Sequence, residues 1–544
     1  MRRTFLGLVT TVAMLAAVVA GTAQADTIRV MSTTDTVDAG LVDGYNGIPG
    51  IKALFAQWES ANNLPSDTLA YTGVGTGVAL DRARNGEADV VITHAPSLEK
   101  TFVSQGYSQE AYGRAIFYSD YVIIGPQDDP AGVLSSAPHD AVSAFEKIAQ
   151  AGAAGKAVFD SRGENSGTNV QEQVIWGLTD PAVVPTQVAA NAAGDTSRHE
   201  PVTGGTAWYV KTTKGQAANV QQCATTPNCY TMTDRGTFNR LVNSGTLPQL
   251  KVVADKNTAS DRGGENLLVN PFSAYIVNPS PSGGFPVGAP TPNVPAATRF
   301  VDFLTSDFFQ NAVNAFPSAS DPAFHADAFP KVDATVPTTV TAGQPATLNV
   351  TLTDRLPGGD AIYGIAVQLQ ASTDGGNTFN NVGGPQRTNQ SGVASFAPVV
   401  ASTTTFRVTT ARQFKWSPMA QTIGVVAATP APIVPPKDKT PPTVSKATLS
   451  AKKLSLTISE AGKVKATFKI RKTRKVNGKT RTTYVSVKSV TLFAKKAGRI
   501  SRTFAALKPG TYHVTLTATD KAGNVKTRTV TLVVKAPAKK KTTK

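Results

Sequence analysis

The sequence predicts a mixed α/β domain followed by two all-β sandwiches. Three observations carry this. Residues 26–325 alternate short apolar runs with helical apolar periods, the pattern of strands and helices packed in layers. From residue 331 the chain turns rich in Thr and Val with period two, and no helical period survives. A Pro-rich stretch over 427–442 then separates a second block of the same β character, 443–534, from the first.

The chain opens with Arg2 and Arg3, an apolar run from Phe5 to Gly21 and then Ala23-Gln24-Ala25. A basic start, an apolar stretch and small residues at −3 and −1 describe an export signal over 1–25, with a mature start expected at Asp26. The general and twin-arginine routes both stay open, and an uncleaved anchor is the alternative reading.

Thr27–Met31 reads as the first strand and 50–59 as an amphipathic helix with Ile51, Leu54, Phe55 and Trp58 on one face. Strands are expected at 88–93, 120–125 and 156–160, and a helix at 141–153. The block 331–426 carries turns such as Asp374-Gly375-Gly376-Asn377, and the second block ends in an alternating strand over 510–520. Residues 535–544 are a basic tail, expected to be disordered.

A hydrophobic share of 41% over 544 residues supplies several cores. The net charge of +17 is unevenly spread. From Lys437 onward there are 28 Lys and Arg against three acids, which is +25; the first 436 residues carry −8. The basic C-terminal domain is expected to face an anionic partner, a cell-wall polymer or acidic lipid, rather than nucleic acid.

The two cysteines, Cys223 and Cys229, flank turn formers, and a disulfide is expected after export. A metal pair is the alternative, but no histidine stands at ligand spacing, so no metal is expected. G-x-S-x-G and H-E-x-x-H are absent from the sequence, which weighs against a hydrolase.

Four segments place hydroxyl residues and glycines between a strand and a helix: 32–36, 74–78, 161–168 and 233–237. Helix N-termini present free N–H groups, glycines let an anion come close, and hydroxyls donate to it. Taken singly each segment reads as a helix cap; together they read as an anion cradle.

Ser32-Thr33-Thr34-Asp35, Val74-Gly75-Thr76-Gly77, Ala88 to Pro96 with His94, and Ser161-Arg162-Gly163 to Ser166-Gly167-Thr168 follow one another in order. In this series the chain resembles the tungstate-binding component of bacterial ABC importers, and more loosely the phosphate-binding components. The resemblance implies a two-lobed periplasmic-binding-protein-like fold of type II over 26–325, with crossovers near 117–125 and 267–278. It implies an exported, non-enzymatic receptor without cofactor, a monomer, which takes a tetrahedral oxyanion (tungstate or molybdate, with phosphate admitted) to a membrane permease or sequesters it at the surface.

Carried over, the ligand residues are Thr33, Thr34, Asp35, Gly75, Thr76, Arg162, Ser166, Gly167 and Thr168. Arg162 would supply charge, with an ion pair to Glu164 as the alternative. Arg235 is open between ligand and a pair with Asp234, and His94 is read as a hydrogen-bonded structural residue. Asp35 stands where the family has Ser: it is a helix cap, or points away from the anion, or requires a proton between itself and the anion. Lys214 to Ala218 replaces a glycine-rich stretch of the family.

The β blocks resemble bacterial immunoglobulin-like modules at 371–379 and 519–524, and a spacer role is expected of them. The competing function is an adhesion or wall-structural protein with a degenerate binding domain.

Overall fold

The computed structural model describes residues 25–247, 249–431 and 434–536. The expected signal segment before residue 25 and the basic tail beyond Ala536 lie outside them. The chain divides into two units, 1–430 and 431–544.

In the first unit β1 (Thr27–Thr33) runs directly into the short helix α1 (Thr34–Asp38). Then follow α2 (Ile51–Ala61), β2 (Thr68–Val74), α3 (Thr76–Arg84), β3 (Val90–Thr93) and α4 (Pro96–Ser104). β1 pairs in parallel with both β2 and β3, so the strands share a carboxyl end from which α1, α3 and α4 depart. Ile28, Val30, Val90 and Ile92 are buried against Phe300 and Phe303, the core of lobe 1.

β4 (Arg114–Pro126) then leaves this lobe. The second lobe contains α5 (Val133–Ser136), α6 (Ala141–Ala153), β5 (Val158–Ser161) and α7 (Gly167–Gly177). It continues through β6 (Thr186–Val188), β7 (His199–Pro201), β8 (Tyr209–Lys211) and α8 (Gln216–Thr225). β9 (Cys229–Asp234), α9 (Arg235–Asn243) and β10 (Leu250–Asp255) complete it. β5 is parallel to β8 and β9, so α7, α8 and α9 all start at one sheet edge. Phe145, Phe159, Trp176 and Trp208 fill this core. A disulfide joins Cys223 at the end of α8 to Cys229 at the start of β9.

β11 (Val269–Ile276) returns to lobe 1, followed by α10 (Val294–Leu304), α11 (Asp307–Val313) and β12 (His325–Ala326). β4 pairs with β11 through its first half and with β9 and β10 through its second. One strand therefore belongs to both lobes, and the two crossovers fall where the resemblance implies.

Residues 331–429 form a sandwich with Leu348, Val350, Leu352, Val367, Leu369 and Val408 inside. Its last strand, Met419–Thr429, extends three residues into the expected linker and pairs with Thr339–Thr341. The sandwich is docked on lobe 1: Ala115 N–H donates to Lys415 C=O at 3.0 Å, and Arg412 Nη2 meets Glu110 Oε2 at 2.6 Å.

The second unit packs strands Val444–Leu449, Lys453–Ile458 and Gly498–Thr503 on a four-stranded sheet of Lys479–Ala494, Gly462–Val476, Gly510–Asp520 and Val525–Val534. Leu454, Leu456, Val464, Phe468, Val514 and Leu516 are its core. Among the described residues no helix is long and apolar enough to cross a membrane.

Candidate functional site

All the predicted site segments are strand-to-helix junctions, and the fold brings the two lobes' junctions face to face. Open α/β sheets place ligands at such carboxyl ends. Contacts across the seam are direct. Gly77 N–H donates to Asn165 C=O at 2.8 Å, Ala217 N–H to Asp38 Oδ2 at 2.9 Å, and Arg240 Nη1 to Val37 C=O at 2.9 Å. At Gly167, which opens α7, an added Cβ would lie 2.1 Å from the His94 ring. Only a glycine allows the helix this close. Gly75 precedes α3 and is buried, with the Glu164 carboxyl group 3.5 Å from where its Cβ would be.

Thr33, Asp35, Thr76, Arg162, Ser166 and Thr168 are all buried at this seam. Four hydroxyl oxygens there have no hydrogen-bond partner: Thr33 Oγ1, Thr34 Oγ1 and Thr76 Oγ1 from lobe 1, and Thr237 Oγ1 from lobe 2. Asp35 Oδ1, His94 Nε2 and Asp234 Oδ2 also lack a hydrogen bond, although charged groups stand near the first two. Buried polar atoms are otherwise almost always paired, and each orphan costs about 1–3 kcal/mol. Several orphans from both lobes at one seam are what a site built for a polar guest leaves exposed to that guest.

Three carried-over residues are otherwise engaged. Thr168 Oγ1 donates to Gln216 Oε1 at 3.0 Å, and Ser166 Oγ accepts from Asn169 N–H at 3.2 Å, capping α7. Arg162 is deeply buried, with Nη1 on Gln216 Oε1 at 2.8 Å, Nε on Lys214 C=O at 3.2 Å and Nη2 on the Glu164 carboxylate. Its Nη1 lies 3.8 Å from Asp35 Oδ1. Gln216, in the stretch that departs from the family, ties Arg162 and Thr168 together and donates to Thr233 Oγ1 at 2.9 Å.

Arg235 does not pair with Asp234; it binds Asp120 at 2.8 Å and Asp255 at 2.8 Å, at the foot of the crossover. Asp35 is not a helix cap. Thr33 holds the cap position of α1, and no side-chain cap bond forms there. Asp35 Oδ2 instead lies 3.3 Å from His94 Nε2 and 3.5 Å from Asn270 Nδ2.

His94 does more than fill space. Tyr121 OH donates to Asn270 Oδ1 at 3.0 Å, which leaves it to accept from His94 Nδ1 at 2.9 Å. That assignment puts the ring proton on Nδ1 and turns the Nε2 lone pair toward Asp35 Oδ2. Burial pushes His94 below its ordinary pKa. Burial, and next the Asp35 charge, hold the Asp234 carboxyl well above the usual carboxylate range, although Thr237 N–H donates to it at 2.8 Å. Burial also raises Asp38, against the Ala217 N–H. The site therefore combines hydroxyl and guanidinium donors with two carboxyl groups, Asp38 and Asp234, that burial pushes above the usual carboxylate range.

Sequence reasoning passed over Tyr121, Asn270, Asp234, Thr237 and Gln216. The segment 233–237 was a signal for two of them. Asn270 left only a polar residue inside the apolar run 267–272.

Residues 18–307 match the PBP superfamily domain. A Haloferax volcanii protein, provisionally named as the anion-binding protein of an ABC transporter, is 31% identical over 337 residues, 61% of this chain and 82% of that protein. The tungstate-binding protein TupA of Peptoclostridium acidaminophilum is 27% identical, over 53% of this chain and 81% of its own length. Among solved structures, the tungstate-binding protein TupA of Desulfovibrio alaskensis is 30% identical, covers 56% of this chain and 99% of its own, and has a TM-score of 0.38.

Proposed function

Because the chain belongs to the PBP superfamily domain family over residues 18–307, we propose that it is an exported receptor for a tetrahedral oxyanion. Tungstate or molybdate is the proposed ligand, with phosphate admitted through Asp35. The receptor delivers the ion to an ABC permease or sequesters it at the surface. The supporting observation is the set of unpartnered buried hydroxyls that both lobes aim at one seam. Thr33, Thr34, Thr76 and Thr237 donate to the oxyanion, Arg162 supplies charge from behind, and Asp234 donates its proton. The relatives named for anion and tungstate binding support the same ligand class. The two C-terminal sandwiches act as immunoglobulin-like spacers, and the basic one keeps the receptor at an anionic cell surface.

A second reading, an adhesion protein with a degenerate binding domain, is favoured by one observation: Glu164 and Gln216 already engage Arg162. Thermal unfolding separates the two. A ligand specific for the folded state raises the melting temperature, by about 2.7 kcal/mol of stabilisation at a hundredfold excess over Kd. A receptor shows this shift with at least one of tungstate, molybdate and phosphate. A degenerate domain shows it with none.

A further inference from the structure

Strands Gly462–Val476 and Lys479–Ala494 of the second unit outrun their sheet. The neighbouring strand pairs with the first of them only from Gly462 to Lys469. From Ile470 to the turn at Asn477-Gly478, and back to Val485, the two strands pair with each other alone. At roughly 3.4 Å per residue this ribbon projects about 20 Å. Every residue from 471 to 487 is exposed.

The ribbon carries Arg471, Lys472, Arg474, Lys475, Lys479 and Arg481 and no acid. Register and alternation place Lys472, Arg474, Lys479 and Arg481 on one face and Arg471 and Lys475 on the other. Arg474 stands directly opposite Arg481, a like-charge pair that costs stability. The acids that could have relieved it are elsewhere: Asp438, Glu460 and Asp520 lie with carboxylate oxygens within 4.8 Å of one another, beside Gly462, at the end remote from the turn. The module is thus polarised along its length, with all local neutralisation at one end.

Resting on the reading that this module holds the protein at an anionic surface, we infer that the ribbon is the binding element and that its partner is a flexible phosphodiester polymer of the cell wall. Cations on both faces favour a chain that can wrap the ribbon over a flat lipid surface, which meets only one face. A nucleic acid would be held by stacking as well as by charge. The ribbon's single aromatic, Tyr484, is already packed edge-on against His513 at 4.5 Å.

The test titrates the full-length protein with poly(glycerol phosphate), poly(dT) and phosphatidylglycerol vesicles across a salt series. Six neutralised phosphates on a flexible chain predict a slope of about −4 in log K against log salt. Replacing the six ribbon cations by Gln is expected to weaken poly(glycerol phosphate) binding at least tenfold and flatten the slope, with the protein unfolding at the same temperature or higher because the like-charge pair is gone. Replacing either face alone is expected to remove that face's share. A charge-matched variant, with Gln at Lys495, Lys496, Arg499, Arg502, Lys521 and Lys526, is expected to stay within threefold of the parent. Equal loss in the charge-matched variant overturns the ribbon assignment and leaves surface tethering standing. Tighter binding to poly(dT) or to vesicles at equal phosphate overturns the choice of partner. A parent protein that binds none of the three at low salt overturns the tethering reading itself.

Discussion

At the scale of single residues, the unpartnered hydroxyls make an unusual prediction. Thr76→Val keeps the shape and removes a buried orphan, so the ligand-free protein is expected to melt at the same temperature or higher. Oxyanion affinity is expected to fall about tenfold, since a hydrogen bond to a charged group contributes about 1.5–3 kcal/mol. Parallel melting curves and titrations of parent and variant read both. Asp35 is predicted to set ligand choice: if a shared proton is required, phosphate binding is expected to weaken as pH rises, and Asp35→Ser is expected to move preference toward deprotonated tungstate. Competition titrations across pH measure this, and a variant with the parent's selectivity at every pH removes the role. Behind the site, Glu172 accepts from Ser161 Oγ at 2.7 Å, Trp176 Nε1 at 3.0 Å and Tyr209 OH at 2.8 Å, yet burial pushes its carboxyl up to about 7. The folded protein keeps a proton that the unfolded chain releases. Its share of stability is therefore full below about 4.5 and is lost as pH rises to about 7, roughly 3 kcal/mol. Glu172→Gln mimics the neutral acid, so the total fall in stability across this window is expected to lessen by that amount in denaturant titrations. The hydroxyls were legible in the sequence because they cluster with glycine at junctions. The ion pair of Arg162 with Glu164 stood among the readings of the sequence, but its bonds to Gln216 and Lys214 and the facing of Asn270 did not, because a polar side chain does not announce what it meets across the fold.

Among elements, the close approach of α7 to His94 leads to the prediction that lobe closure depends on Gly167. Gly167→Ala puts a methyl group into the imidazole, so the lobes are expected to stay apart. Small-angle scattering is expected to show no contraction on adding oxyanion, and affinity to fall at least a hundredfold. Contraction equal to the parent's contradicts this role for the glycine. Helix α6 was legible to the residue: its apolar period is regular, and Asp140 caps it by accepting from Ser143 N–H at 2.9 Å. β4 was expected over 120–125 and runs from Arg114 to Pro126. An apolar run signals a buried strand, but the extra length comes from pairing with both lobes, which is a tertiary fact. The last strand of the first sandwich likewise extends past its apolar stretch because Thr339–Thr341 offers it an edge.

Over the whole molecule, sequence texture alone separated the α/β part from the β part, because the helical period is lost after residue 330. The docking of the first sandwich on lobe 1 was not legible, since Arg412 and Lys415 lie far from Glu110 in the chain and all three resemble ordinary surface charges. The charge division was plain from counting, but its concentration on one ribbon needed the strand register. The central claim is that the seam between the lobes holds a tetrahedral oxyanion on hydroxyls that otherwise lack partners. Calorimetric titration of the protein with tungstate, molybdate, phosphate and sulfate, with Thr76→Val in parallel, tests this most directly. The account predicts saturable one-to-one binding of at least one of these ions, weakened about tenfold by the substitution. No saturable heat with any of the four, or equal affinity in parent and variant, contradicts it.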